Sequence, residues 1–402
     1  MSSLKNNRVP LVILMVNMFI AMLGIGLIIP VLPIFVKEFG VDGTAMGYLI
    51  AIFALTQFLF SPFAGEFSDK FGRKKPIIIG LVGFTLSQFI FAIGTDIWML
   101  YASRFIGGIG AAFLVPPMMA YVADITTEDE RGKGMGLLGA CMSLGFVIGP
   151  GIGGFLAEFG TRVPFYSSAV IATVATILSF LLLPETLSLD IQEKARHNSR
   201  KRETIFVQIY ASFNKSYFIF LLLIFMMTFG LANFEAVFGL YVFEKFDFTP
   251  KDISIIITFG ALVGVIIQSL VVDKVLSKFG EIRVIFWTFL ISSISLFSLI
   301  FAGSFATILL ITLVFFTATS LVRPALNTQL SKMAGDEQGF VAGLNNMYFS
   351  IGNMAGPIFA GILFDINIEF PYVLGSFVLL VCCFMPYKSK STKTQFSVES
   401  VK

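Results

Sequence analysis

Apolar runs of about 20 residues, each long enough to cross the hydrocarbon of a membrane as a helix, follow one another along almost the whole of this 402-residue chain. A backbone crossing lipid has to satisfy its own hydrogen bonds, which a helix does within one segment. The pattern also repeats. Residues 145–154 read Gly145-Phe-Val-Ile-Gly149-Pro150-Gly-Ile-Gly153-Gly154, and residues 352–361 read Gly352-Asn-Met-Ala-Gly356-Pro357-Ile-Phe-Ala-Gly361, an offset of 207. Pro117 and Pro324, Gly132 and Gly339, and Phe39 and Phe246 share that offset. Two related halves built from membrane-length runs point to a duplicated all-α membrane protein with a path for small molecules between its repeats.

Composition supports this reading. Only 13% of residues are charged and 56% are hydrophobic, whereas a soluble domain carries nearer a quarter charged. Forty-seven Phe and a single His argue against a water-soluble enzyme. Breaks at charged or Gly/Pro-rich points define twelve spans: 9–36, 44–66, 76–94, 97–123, 132–159 and 163–183, then 215–243, 250–277, 283–302, 305–331, 338–364 and 370–387. The expected organisation is an N-terminal six-helix bundle over 1–183, a charged and partly helical linker over 184–214, a C-terminal six-helix bundle over 215–387, and a tail over 388–402. The first run is too long for a signal-peptide core and ends in no small-residue cleavage site, so it reads as a retained span. With the N-terminus inside, 22 of the 28 Lys and Arg fall in cytoplasmic segments, and only Lys37, Arg162, Lys245 and Lys251 in external loops. The positive-inside rule then places both termini and the linker in the cytoplasm.

After the second span comes Gly65-Glu-Phe-Ser-Asp69-Lys70-Phe-Gly72-Arg73-Lys74-Lys75, with a degraded counterpart in Asp273-Lys274, Gly280 and Arg283. A tight turn at Gly72 would set a carboxylate and cations to bridge neighbouring helix ends. Asp69 would face a helix N-terminus and Arg73 would pair with Asp124. The plain alternative is a topogenic basic loop. The full pattern resembles the cytoplasmic loop of the major facilitator superfamily, where it gates the inner face; here Gly65, Asp69, Gly72, Arg73 and Asp124 are its candidates. In span four, Arg104-Phe-Ile-Gly107-Gly108-Ile-Gly110 resembles a second pattern of that family, in which an intramembrane Arg is linked to proton transfer. A structural Arg bonded to backbone carbonyls is the alternative. The segment 145–154 resembles the family's antiporter pattern, which implies exchange of substrate for protons. Gly145, Gly149, Gly153 and Gly154 allow close helix approach, and Pro150 removes a backbone donor.

Three ionisable side chains lie within spans, away from their ends: Arg104, Glu235 and Arg323. Such groups are costly in lipid and are functional by default. Glu235, the lone carboxylate, is read as the group that carries a proton or meets a cationic ligand, with Arg104 and Arg323 tuning it or binding anionic substrate groups. A structural pair with Arg323 is the other reading. The surroundings of Glu235, Leu-Val-Arg323-Pro324-Ala and Gly343-Leu-Asn345 resemble the proton-driven multidrug exporters of Gram-positive bacteria within that superfamily. Polar residues Asn17, Gln57, Asn233, Asn327, Asn345 and Asn346 and apolar residues Met118, Phe146, Phe238, Tyr241 and Phe349 are the candidate cavity lining. An adaptable apolar wall with few polar anchors suits bulky amphipathic ligands.

The resemblance implies a proton-coupled antiporter that exports hydrophobic or cationic drugs across the bacterial plasma membrane by alternating access. It would use the proton gradient, with no cofactor and no metal, and act as a monomer on small molecules among membrane lipids. Related exporters often carry a second central carboxylate, and here position 320 is Ser. Two other functions are an exporter of a sugar, glycolipid or other metabolite and a non-transporting sensor or scaffold. No nucleophile, base and metal constellation supports an enzyme, and no Gly-x-x-x-x-Gly-Lys loop supports ATP-driven transport. The basic run Arg200-Lys201-Arg202 suits anionic lipid better than nucleic acid. Leu183-Pro184-Glu185-Thr186-Leu187 looks like a sortase signal lacking its Gly and is set aside, as are Asn214-Lys-Ser216 and His197 in the linker.

Overall fold

A computed structural model describes residues 8–197 and 205–386. The basic run 200–202 and the tail 388–402 lie outside them. Among the described residues there are seventeen α-helices and no strand. The first eight are α1 (Arg8–Ile28), α2 (Leu32–Lys37), α3 (Gly43–Phe71), α4 (Lys74–Ile93), α5 (Ile97–Ala112), α6 (Val115–Ile125), α7 (Glu128–Ala157) and α8 (Val163–Leu182). Two short linker helices follow, α9 (Leu189–His197) and α10 (Ile205–Ser212). The last seven are α11 (Phe218–Phe246), α12 (Pro250–Leu270), α13 (Val272–Phe279), α14 (Glu281–Ser298), α15 (Phe305–Ala334), α16 (Gln338–Ile366) and α17 (Phe370–Phe384). Eleven helical stretches are long and apolar enough to cross a membrane. The remaining apolar helix, α17, has 15 residues.

Local chemistry accounts for several helix starts. Asp96 accepts from the N–H groups of Trp98 and Met99 and starts α5. Ser304 and Thr307 form a capping box at the start of α15. Glu128, Asp129 and Glu130 place negative charge in the first turn of α7. Three expected spans are interrupted. The run 9–36 breaks between α1 and α2, where Pro30 and Pro33 lack N–H donors and Pro33 suits a first helical turn. The run 97–123 breaks at Phe113 and Leu114, because Pro116 and Pro117 cannot donate to the carbonyls of Ala112 and Phe113. The run 250–277 breaks at Val271, between α12 and α13.

The helices group into two compact units. The first comprises 8–41, 48–197 and 242–258, and the second 42–47, 205–241 and 259–386. In the first, α1 packs along α7 and against α8, and α4 lies between α5 and α8. Glycines of the 145–154 motif make the α1–α7 contact possible. A Cβ on Gly145 would come within 2.5 Å of the Phe19 carbonyl, and one on Gly149 within 2.9 Å of the Leu23 carbonyl. In the second unit, Gly352 and Gly356 do the same against α11, where a Cβ would meet the Phe225 and Phe229 carbonyls at 2.7 Å. There α14 packs against α15 and α17, and the Ser293 hydroxyl donates to the Ser376 carbonyl at 2.7 Å.

Candidate functional site

The turn between α3 and α4 is built on Gly72, whose φ of +90° suits glycine. The first N–H groups of α4 have no partners inside the helix, and the Glu185 carboxylate supplies them. It accepts from the N–H of Arg73 at 2.7 Å and of Lys74 at 3.1 Å. It sits so close to Gly72 that a Cβ there would land on it. The Arg73 guanidinium donates to Asp69 at 2.6 Å, to Ser68 at 3.0 Å and to Asp124 at 2.9 Å. Burial works against the charge on Arg73, and its hydrogen bonds to Asp69 and Asp124 outweigh that, holding the guanidinium above its ordinary range. Thr186 adds a bond to Asp124 at 3.1 Å, and Tyr121 donates to the Pro184 carbonyl at 2.7 Å. Arg196 on α9 donates to the Lys70 carbonyl at 2.9 Å and stacks over Phe71.

Asp69, Gly72, Arg73 and Asp124 therefore meet at one point, whereas a Cβ on Gly65 would have no neighbour within 4 Å. Sequence reasoning missed Glu185, which lies in the run set aside as sortase-like. A carboxylate at the C-terminal end of a span was the one available signal. Its partners lie 112 and 111 positions away, so no local spacing reveals them.

Each unit also holds a further set of polar contacts. Within the first unit, Lys251 pairs with Glu158 at 2.8 Å and Lys37 pairs with Glu244. Within the second, Asp365 accepts from the N–H groups of Gly43 at 2.7 Å and Thr44 at 2.9 Å, and from the Thr44 hydroxyl. Repeat symmetry orders this set. Glu158 and Asp365, Thr44 and Lys251, and Lys37 and Glu244 are each 207 positions apart. Glycines keep it tight. Gly154 meets Ser254 and the Pro250 carbonyl, and Gly361 meets Gly43.

The three intramembrane charges have different surroundings. Glu235 is exposed in a stretch of α11 whose neighbours, 232–234 and 236–242, are all buried. Among the described residues it makes no ion pair or hydrogen bond, so the structural pair with Arg323 is not formed. Its neighbour Phe234 stacks on Phe315 of α15 at 4.8 Å. Arg323, also exposed, lies eight residues further along α15 and holds its guanidinium 4.1 Å over the Phe349 ring of α16. One turn on, Asn345 donates to the Asn327 carbonyl oxygen at 2.9 Å. Arg104 is buried in the first unit, 4.2 Å over the Phe91 ring, and its Nε and one terminal nitrogen have no hydrogen-bond partner.

The candidate lining divides accordingly. Asn327 and Asn346 are exposed, and Gln57, Phe146, Asn345 and Phe349 are half-buried. Five others are enclosed by packing and line no open space in this structure. Asn17 is buried and hydrogen-bonded to Ser179 at 2.8 Å. Met118 belongs to the apolar core of the first unit. Asn233, Phe238 and Tyr241 are buried, with Phe238 stacked on Phe234 and the Tyr241 hydroxyl on the Leu299 carbonyl. A helix that is apolar all round gives no moment from which to tell its inner face.

Comparison with known proteins places this architecture. The sequence profile of the Major Facilitator Superfamily matches residues 14–357 and 220–397, and the chain belongs to that superfamily. It is 47% identical to multidrug resistance protein 2 of Bacillus subtilis (strain 168), over 94% of this chain and 94% of that protein. It is 40% identical to the quinolone resistance protein NorA of Staphylococcus aureus, over 89% of this chain and 91% of the relative. Among solved structures, a bacterial homologue of the human lysosomal transporter Spinster, inward-facing and occupied, superposes with a TM-score of 0.79. That likeness covers 98% of each chain at 14% identity and concerns the fold alone.

Proposed function

We propose that this chain is a proton-coupled antiporter that exports hydrophobic and cationic drugs across the bacterial plasma membrane by alternating access. The observation that carries this reading is Glu235, an exposed carboxyl group within a buried apolar stretch of α11, with no counter-charge among the described residues. A carboxylate so placed is stabilised either by a proton or by a cationic ligand, and an exchanger needs that competition. The named activities of the multidrug and quinolone resistance relatives agree with it.

The same reading takes the two halves as six-helix bundles, 1–183 and 215–387, joined by 184–214, with both termini in the cytoplasm and the protein acting as a monomer. The Asp69–Arg73–Asp124–Glu185 network then lies on the cytoplasmic side, where it braces the ends of α3, α4 and α6. The contacts of Glu158, Asp365 and Lys37 then lie on the outer side. The chain acts as a transporter rather than an enzyme, with lipid as its surroundings and the proton gradient as its energy source.

One carboxylate has an energetic consequence. Exchanging one proton for one monovalent cation moves no net charge, so the membrane potential of about 2.3 kcal/mol per 100 mV does no work on the cycle. The pH gradient supplies about 1.4 kcal/mol per unit. Everted vesicles test both points. A monocationic drug is expected to release protons from wild-type vesicles and none from Glu235→Gln vesicles. Collapsing the pH gradient with nigericin is expected to stop export, while collapsing the potential with valinomycin leaves it intact. Wild-type export by Glu235→Gln removes that residue from the mechanism.

A further inference from the structure

At three points on one helix seam, the second unit buries polar side chains where the first buries apolar ones. We infer that Asn233, Ser292 and Tyr372 bind internal water, in a file between α11, α14 and α17 at positions where the first unit is apolar. The site is independent of what the chain exports. Two positions along α11 turn the helix by about 200°, so Asn233 faces away from Glu235.

All three side chains are at most 1% exposed. Among the described residues, neither the amide oxygen nor the amide nitrogen of Asn233 has a hydrogen-bond partner, and the hydroxyls of Ser292 and Tyr372 have none. A buried amide or hydroxyl without a protein partner is costly, and enclosed water is the usual remedy. Asn233 alone offers two donors and an acceptor.

The three groups share one seam. A Cβ on Gly375 of α17 would come within 3.7 Å of the Asn233 oxygen and 2.6 Å of Leu296 on α14. Ser292 lies four residues before Leu296 on the same face of α14, and Tyr372 lies three residues before Gly375 on the same face of α17. The Ser293 hydroxyl donates to the Ser376 carbonyl at 2.7 Å and holds these two helices together at this level. They run in opposite directions, so Ser292 and Tyr372 lie on either side of Asn233, each about 5 Å away along the axis. One water bridges polar groups at such a separation.

The first unit closes the same seam with apolar groups. Gly145 and Gly352 approach the carbonyls of Phe19 and Phe225, which aligns α1 with α11 at an offset of 206 and sets Leu27 against Asn233. The turns at Gly72 and Gly280 and the caps Asp96 and Ser304 align α4 with α14 at an offset of 208, setting Phe84 against Ser292. Pro164 and Pro371 align α8 with α17 and set Phe165 against Tyr372. Leu27, Phe84 and Phe165 are at most 2% exposed, and Phe165 stacks on Phe91 at 4.6 Å. Ser292 is a ring smaller than Phe84, and Leu379 in place of Ala172 returns only part of that volume. Polar atoms and added room coincide in the second unit, which is the setting that holds a buried water. α1 therefore rests on a dry face, whereas α11 rests on hydrogen bonds that water can remake as the helix shifts.

Radiolytic footprinting tests the site, because an X-ray pulse converts a bound water to hydroxyl radical where it stands and oxidises the side chain beside it. Oxidation of Tyr372 is compared with that of Phe165, its equally buried counterpart, in the full chain in lipid nanodiscs, after correction for the reactivity of each ring. Tyr372 is expected to oxidise about tenfold faster than Phe165. Asn233→Leu, which installs the first unit's side chain, and the milder Ser292→Ala are each expected to lower the Tyr372 rate about threefold and leave Phe165 unchanged. A Tyr372 rate no faster than that of Phe165 in wild type overturns the site. A fast Tyr372 rate that stays unchanged in either variant overturns the assignment of the water to these three groups. A raised Phe165 rate reports that a variant has unfolded, and wild type with the other variant then decides the outcome.

Discussion

The two repeats solve the same turn differently. In the first, the α3–α4 turn carries Gly72 at φ +90°, with Glu185 seated against it and Arg73 bonded to two carboxylates. In the second, the α13–α14 turn carries Gly280 at φ +75°, and a Cβ there would meet nothing within 4 Å. The position matching Asp124 at the 207 offset is Ser331, which bonds Gln338 instead. Lys332 pairs with Glu281 at 2.6 Å, from a side chain 54% exposed. The backbone device was kept in both copies, and a carboxylate seated against the glycine was built in one. A duplicated turn needs its glycine wherever φ is positive, whereas a salt-bridge network needs partners from several elements at once. Losing one partner removes most of its value.

Substitutions can break or sharpen that contrast. The largest effect is expected for Gly72→Val, which combines a left-handed φ with a Cβ placed on the Glu185 carboxylate. A loss of about 3 kcal/mol is expected, seen as a large drop in melting temperature in detergent. Arg73→Ala comes next. It leaves Asp69 and Asp124 facing each other at a half-buried site, and about 2 kcal/mol is expected from chemical denaturation.

Gly280→Ala is the counterpart of the first substitution and carries only the strain of a φ +75°, ψ 153° backbone that glycine alone adopts readily, about 2 kcal/mol in the same thermal assay. A cost as large as that of Gly72→Val would contradict the claim that Glu185 makes the difference. Glu185→Gln keeps an oxygen for the α4 N–H groups and removes the charge. A cost of about 1 kcal/mol is expected, shrinking at high salt. The smallest effect is expected for Lys332→Ala, within about 0.5 kcal/mol, because an exposed pair pays side-chain entropy for little Coulombic gain. If Lys332→Ala matched Arg73→Ala, the second turn would hold a network as costly to break as the first.

Much of the fold was legible in the chain. Recurring apolar runs, the 207 offset and the 145–154 motif point to helices, to duplication and to two close helix pairs, and those features stand in the structure as α1 with α7 and α11 with α16. The breaks at Phe113–Leu114 and between α1 and α2 had visible prolines, yet the runs looked continuous because hydropathy does not register a missing N–H. The candidate site was less legible. Asp69, Arg73 and Asp124 come together, while Asn17 and Met118, read as lining, are packed inside the first unit. Polar residues in an apolar helix look alike in sequence whether they bond a neighbour, as Asn17 does to Ser179, or stand open, as Asn327 does.

By itself, then, the order of residues determined that this chain crosses a membrane many times, that it was doubled, and where its unusual charges lie. These are one-dimensional properties of hydropathy, spacing and identity. Only the tertiary structure decided which charges are partnered: Arg73 with two acids, Arg104 with a ring in a closed interior, Glu235 and Arg323 exposed on different helices. It also joined Glu185 to Arg73 and Lys251 to Glu158 across about a hundred residues. Whether a charge is paired depends on distances of a few ångströms in space, and separation along the chain carries almost no information about those.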